Sequence, residues 1–252
     1  MLGTLVVAGM IMLLHPGQAR ATEVTVLTAG AFKQVVLTVA PLFEQRTGDR
    51  LIIDNDTAGA LEQRILRGEA FDATVLPPRV IDSLVAKGRL AAVSRQGLAR
   101  TGVGVVVRKD TPLPDIATVD ALRRSLLAAQ SIAYIDPASG GSSGVFVAGL
   151  LQRLGVADQV KAKTHLIQGG LVAQHIADGE AELGIHQISE ILAVKDVTLV
   201  GPLPEEVQSY TVYTGAVAAS SAHVAQAKTL LELLASPEGA LAIRKSGLEP
   251  LT

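Results

Sequence analysis

The chain has 252 residues, a formal net charge of −2, 48% hydrophobic and 3% aromatic residues, and neither Cys nor Trp. This balance provides no basic field for nucleic acid and too few rings to stack bases, so no nucleic-acid partner is expected. The lack of Cys excludes disulfides, thiolate nucleophiles, Cys-type zinc sites and iron–sulfur clusters.

Residues 2–14 form an uncharged, mostly apolar run, shorter than the roughly 20 residues needed to span a bilayer, and Ala19-Arg20-Ala21 follows as a small-x-small triplet. The segment 1–21 reads as a secretory signal peptide cleaved after Ala21, although no Lys or Arg precedes the apolar run. From Thr22 onward, short β-rich runs alternate with helical stretches. Strands are expected over 24–28, 51–54 and 73–76, and helices over 32–46, 60–66 and 79–87, with Gly48 and Gly88 placed as helix C-terminal glycines. The pattern restarts near 98–104. A strand over 103–108 is followed by helices over 118–129, 144–154 and 171–178 and strands over 132–135, 165–167 and 183–185. A strand over 197–200 and the loop Gly201-Pro202-Leu203-Pro204 lead to a strand over 210–217 and helices over 222–234 and 237–245. This rhythm calls for an α/β protein with parallel sheets covered by helices, in two units of about 100 residues each.

Three strand-to-helix junctions share small and hydroxyl residues. The richest is Asp136-Pro137-Ala138-Ser139-Gly140-Gly141-Ser142-Ser143-Gly144; the others are Asp54-Asn55-Asp56-Thr57-Ala58-Gly59 and Thr28-Ala29-Gly30-Ala31-Phe32. Such turns present backbone N–H groups and hydroxyls at a helix N-terminus, where the dipole favours an anion, with Thr57 placed to cap its helix. In open α/β sheets ligands collect at the carboxyl ends of strands, where all three junctions fall. Each turn taken alone also reads as an ordinary serine- or threonine-capped loop.

Gly140-Gly141-Ser142-Ser143-Gly144 matches the G-x-S-x-G of serine hydrolases, but Asp136 to Ser139 separate it from the strand, which argues against a nucleophile elbow. The histidines after Thr22 show no metal-ligand spacing, and no phosphate-binding glycine motif follows a strand, so neither metal nor nucleotide cofactor is expected.

The chain resembles the periplasmic solute-binding proteins of ABC importers, in their molybdate-binding branch. The resemblance rests on Val26-Leu27-Thr28-Ala29-Gly30-Ala31-Phe32, Phe43-Glu44-Gln45-Arg46-Thr47-Gly48, Thr57-Ala58-Gly59-Ala60-Leu61, Gly68-Glu69-Ala70-Phe71-Asp72-Ala73, Tyr134-Ile135-Asp136-Pro137, Leu154-Gly155 and Gly179-Glu180-Ala181-Glu182-Leu183-Gly184-Ile185. It implies the type II periplasmic binding protein fold, two α/β lobes joined by two crossover strands. Lobe one would comprise 22–99 plus 217–252 and lobe two 100–216, with hinges near 100–104 and 209–213. It also implies a monomer in the periplasm that captures a small anionic ligand, a molybdate-like oxyanion or an organic carboxylate, for an ABC permease of the inner membrane.

The resemblance places ligand contacts at Gly30, Ala31, Thr57, Ala58, Gly59, Ser139, Gly140, Gly141, Ser142, Ser143, Gln187 and Ser189. Two positions depart from the molybdate pattern: Ala31 stands at the first-turn serine and Gln187 at the tyrosine. Those losses, the enlarged serine/glycine loop and Arg100 beside the hinge make an organic polyacid a rival ligand, since an Arg pairs bidentately with a carboxylate. Arg100 also reads as an ordinary surface residue. Relatives of this fold further allow an isomerase that moves a proton within an unsaturated tricarboxylate such as aconitate, with Tyr213, His186 or Glu190 as base.

Overall fold

A computed structural model describes residues 21–251. Apart from Ala21, the signal-peptide reading lies outside the described residues. The elements are β1 (Glu23–Ala29), α1 (Lys33–Thr47), β2 (Arg50–Asp56), α2 (Ala58–Leu66), β3 (Ala73–Leu76), α3 (Pro78–Ala86) and β4 (Gln96–Arg108). They continue as α4 (Val119–Ala128), β5 (Ile132–Ile135), α5 (Ser142–Arg153), α6 (Ala157–Val160), β6 (Thr164–Ile167), α7 (Val172–Ala177), β7 (Leu183–Gln187), α8 (Ile188–Ile191) and β8 (Val197–Pro202). The chain closes with β9 (Tyr210–Val217), α9 (Val224–Ala235), α10 (Pro237–Lys245) and β10 (Glu249–Pro250).

Local chemistry sets many of these boundaries. Gly48 takes the left-handed conformation that ends α1, with φ 75°, and donates its N–H to Glu44 O. Thr57 and Thr118 each accept a hydrogen bond from a first-turn N–H and so start α2 and α4. β3 and β5 are buried along their whole length, as expected for parallel strands covered on both faces.

The sheet runs β2-β1-β3-β9-β4-β7-β5-β6, with β8 and β10 added on β4. Pairing is parallel within β2-β1-β3 and within β6-β5-β7, and antiparallel where β9 and β4 join the two groups. β4 belongs to both groups: it pairs with β9 over Gln96 to Gly102 and with β7 over Val103 to Val107. Two α/β lobes result. One core gathers Val26, Phe32, Phe43, Leu61, Val75, Tyr213 and Leu230. The other lobe carries two clusters, one around Leu122, Ile132, Val147 and Ile185 and one around Val106, Ala133, Ala173 and Ile176.

The α/β class read from the sequence is the class observed, but β4 is longer than expected, a 13-residue strand in place of 103–108. Its glycines at 97, 102 and 104 break the apolar run on paper. Gly104 is required by packing, because a Cβ there would lie 2.9 Å from the side chains of both Ile188 and Leu199. The four-residue helices α6 and α8 were not expected either, since one turn is too short for helical periodicity to register.

Candidate functional site

Four strands end at one place. Ala29 of β1, Asp56 of β2, Ile135 of β5 and Gln187 of β7 are the last residues of their strands, and all four line a cavity of about 190 Å³ between the lobes. This is the crevice at the carboxyl ends of strands where open α/β sheets bind ligands.

The backbone forms one wall. Ala58 begins α2, and Ser142 and Ser143 begin α5; all three line the cavity. First-turn N–H groups lack partners within their own helix and carry the positive end of the helix dipole. Glycines hold this wall tight: a Cβ on Gly144 would lie 2.2 Å from Ile135 O. Gly30 and Ala31 line the cavity from the turn ahead of α1, and Lys33 adds the one lysine of the lining. Asp56 brings a negative charge, but its Oδ1 accepts from Thr57 N at 2.7 Å and its Oδ2 faces Arg64 at 3.6 Å.

The floor is built of buried side chains. His186 is 1% exposed and Glu190 9%, and His186 Nε2 lies 3.2 Å from Glu190 Oε2. Burial lifts the Glu190 carboxyl to about 8 and depresses the His186 imidazole to about 3, favouring the neutral form of both. Glu190 reaches across to the other lobe: its Oε1 would be 2.5 Å from a Cβ on Gly30, a contact that only glycine permits. Tyr213, buried and held above the ordinary phenol range mainly by desolvation and then by Glu190, donates its O–H to Gln187 Oε1 at 2.7 Å. Gln187 Nε2 donates in turn to Thr211 Oγ1 at 3.0 Å.

Of the residues singled out in the sequence, Gly30, Ala31, Thr57, Ala58, Gly141, Ser142, Ser143, Gln187 and Ser189 line the cavity. Gln187 does so with its amide already engaged on both sides, so it braces Tyr213. Gly59, Ser139 and Gly140 join the lobes at the rim. Gly59 N donates to Gly140 O at 3.1 Å, and Thr57 Oγ1 donates to Ser139 O at 2.5 Å. Arg100 is a correction. It lies away from the cavity on β4, its guanidinium bonded to Glu249 at 2.6 Å and stacked over Tyr210 at 4.5 Å. The register of β10 on β4 puts Glu249 directly opposite Arg100, so the cation has a partner in the fold.

Sequence reading missed Lys33, Gln34 and Asn55 in the lining and knew Tyr213, His186 and Glu190 only as possible bases. A signal for the last two was present: a His and a Glu four residues apart at the end of an apolar strand, in Ile185-His186-Gln187-Ile188-Ser189-Glu190.

The sequence matches the family described as bacterial extracellular solute-binding protein over residues 24–249. It is 37% identical over 236 residues to a protein of Pseudomonas sp. named aconitate isomerase, covering 91% of this chain and 88% of that one. It is 29% identical over 187 residues to the molybdate-binding protein ModA of Azotobacter vinelandii, covering 73% and 71% of the two chains. Among solved structures, the Azotobacter vinelandii periplasmic molybdate-binding protein superposes with a TM-score of 0.75 at 20% identity, over 91% of this chain and all of that one. With 24–249 matched and the cavity lying between two lobes of this fold, the chain belongs to the bacterial extracellular solute-binding protein family.

Proposed function

We propose that the chain binds a small organic polycarboxylate between its lobes. The observation that carries this reading is the division of the cavity into a wall of helix N-termini with Lys33 and a floor bearing the Glu190 carboxyl and an amide already engaged at Gln187. Ala31 offers no hydroxyl, and Gln187 commits its Oε1 to Tyr213 and one amide N–H to Thr211. A compact tetrahedral dianion would therefore lose two donors of the molybdate pattern, whereas separated carboxylates can be held by donors spread over both lobes. The relative named aconitate isomerase supports the same class of ligand.

In this reading lobe one (22–99 with 217–252) and lobe two (100–216) close about β4 and β9, and the ligand favours the closed state because it touches both lobes. The chain acts as a monomer in the periplasm and passes its solute to an ABC permease.

A second reading is an isomerase on the same site, favoured by Glu190. A 1,3-proton shift in an unsaturated tricarboxylate needs a group that takes a C–H proton and returns it, and a carboxyl lifted to about 8 holds its proton with an affinity suited to that task.

One sample tests both. Citrate, cis-aconitate, trans-aconitate, molybdate and sulfate are compared by thermal shift; a ligand at 100 times its Kd adds about 2.7 kcal/mol. Stabilisation by the carboxylates supports the reading, and stabilisation by molybdate alone rejects it. Proton NMR of the aconitate samples then reads turnover, which the isomerase reading expects to fall about 100-fold or more in Glu190→Gln. Carboxylate binding with no interconversion leaves the receptor.

A further inference from the structure

The groups that face Glu190 decide where its proton sits. His186 Nδ1 is buried and has no partner among the described residues. A buried ring N–H with nothing to donate to is costlier than a bare ring nitrogen, so we assign the imidazole hydrogen to Nε2, which faces Glu190 Oε2 at 3.2 Å. The remaining Glu190 oxygen, Oε1, lies at the Gly30 turn on the opposite lobe, in the cavity lining. The Ser189 hydroxyl, buried and also without a protein partner, lines the same cavity.

Resting on the carboxylate reading above, we propose that Glu190 is a specificity-determining residue that works as a neutral acid: its proton sits on Oε1 and is donated to a carboxylate oxygen of the ligand, while His186 positions Oε2. Binding of the anion is thereby tied to one proton held by the protein. Loss of that proton replaces a buried donor with a charge of the ligand's own sign, and like charges repel strongly where burial lowers the dielectric.

Among the described residues, Lys33 is the one cation in the lining shared with Glu190. His186 on β7 and Tyr213 on β9 are neutral neighbours, and burial of the carboxyl acts in the same direction. Lys33 and Asp56 line the cavity from α1 and the end of β2 with opposite charges. β8 and the turn at 30–32 carry no titratable side chain. On β4, Arg100 is bound to Glu249 and Arg108 lies beside Gly179; on α7, His175 is paired with Glu180.

The test compares wild type with Glu190→Gln, whose amide keeps a donor and cannot ionise. Calorimetric titration uses propane-1,2,3-tricarboxylate, which is saturated and cannot be isomerised, between pH 6.5 and 9.5, where the ligand is mainly its trianion. The expected result is a wild-type affinity that falls by about tenfold per pH unit once the carboxyl ionises, against a flat profile in Glu190→Gln. Parallel profiles, or a Glu190→Gln protein that binds at no pH where wild type binds, overturn the proposal.

Melting curves of the unliganded proteins separate the two layers of the argument. With its folded value raised to about 8 from 4.5, Glu190 contributes stability that is present below 4.5 and lost as pH rises through 8. The depressed His186 adds no slope above 6.5. Wild type is therefore expected to lose Tm relative to Glu190→Gln from pH 6.5 to 9.5, and equal slopes overturn the neutral Glu190 by themselves. Failure of every carboxylate to bind either protein instead overturns the functional reading and the ligand contact together, whatever the melting curves show.

Discussion

The two sides of the cavity are made of different materials. The wall at residues 57–59 and 139–143 is backbone: helix starts, glycines and short hydroxyl side chains that meet across the rim through Thr57, Gly59, Ser139 and Gly140. The floor at residues 186–190 and 213 is side chain: a His–Glu pair and a Tyr–Gln–Thr chain, all but Thr211 nearly sealed from solvent. A backbone wall offers fixed donors whose strength hardly varies with pH. A floor of buried acids and amides responds to protonation and shape, and the proposed reading places there the choice between solutes of equal charge. In the proposed reading, affinity for anions in general and choice among them reside in separate parts of this cavity.

Breaking the floor is expected to cost most. Tyr213→Phe keeps the ring that packs at 5.9 Å from Phe32 but strips the O–H from Gln187 Oε1, leaving a buried acceptor without its partner. Urea unfolding should report a loss of about 1–3 kcal/mol. The wall should be gentler. Thr57→Val removes the cap on Ala60 N and the bond to Ser139 O with little change of shape, so stability should fall by about 1 kcal/mol. Because the second of those bonds joins the lobes, stopped-flow release of a bound carboxylate should also be faster in this variant. Arg100→Ala is the outside control. It deletes a half-exposed ion pair, should change stability by less than about 1 kcal/mol, and should leave carboxylate affinity at the wild-type value. A drop in affinity there would mean that Arg100 does reach the ligand.

The contrast also explains what could be read before the fold was known. The wall is local in sequence. Thr57-Ala58-Gly59 and Gly140-Gly141-Ser142-Ser143 announce themselves because a helix start needs its cap and its glycines within a few adjacent residues. The floor is not local. Gln187 meets Thr211 and Tyr213 24 and 26 residues further along the chain, and α8, which carries Ser189 and Glu190, is a single turn with no periodicity to betray it. Arg100 misled for the same reason: the partner that takes its charge, Glu249, lies 149 residues away and becomes its neighbour only when β10 pairs with β4.

By itself, then, the sequence determined the alternation of strands and helices, the α/β class and the three small-residue turns at strand ends. All of these follow from side-chain spacing and capping chemistry between near neighbours. Only the tertiary structure decided that four strand ends share one cavity, that Gln187 braces Tyr213, and that Glu190 is a buried acid set against Gly30 of the other lobe. The physical reason is that a carboxyl's protonation depends on how much water and which charges surround it, and for Glu190 those surroundings are assembled from segments far apart in the chain.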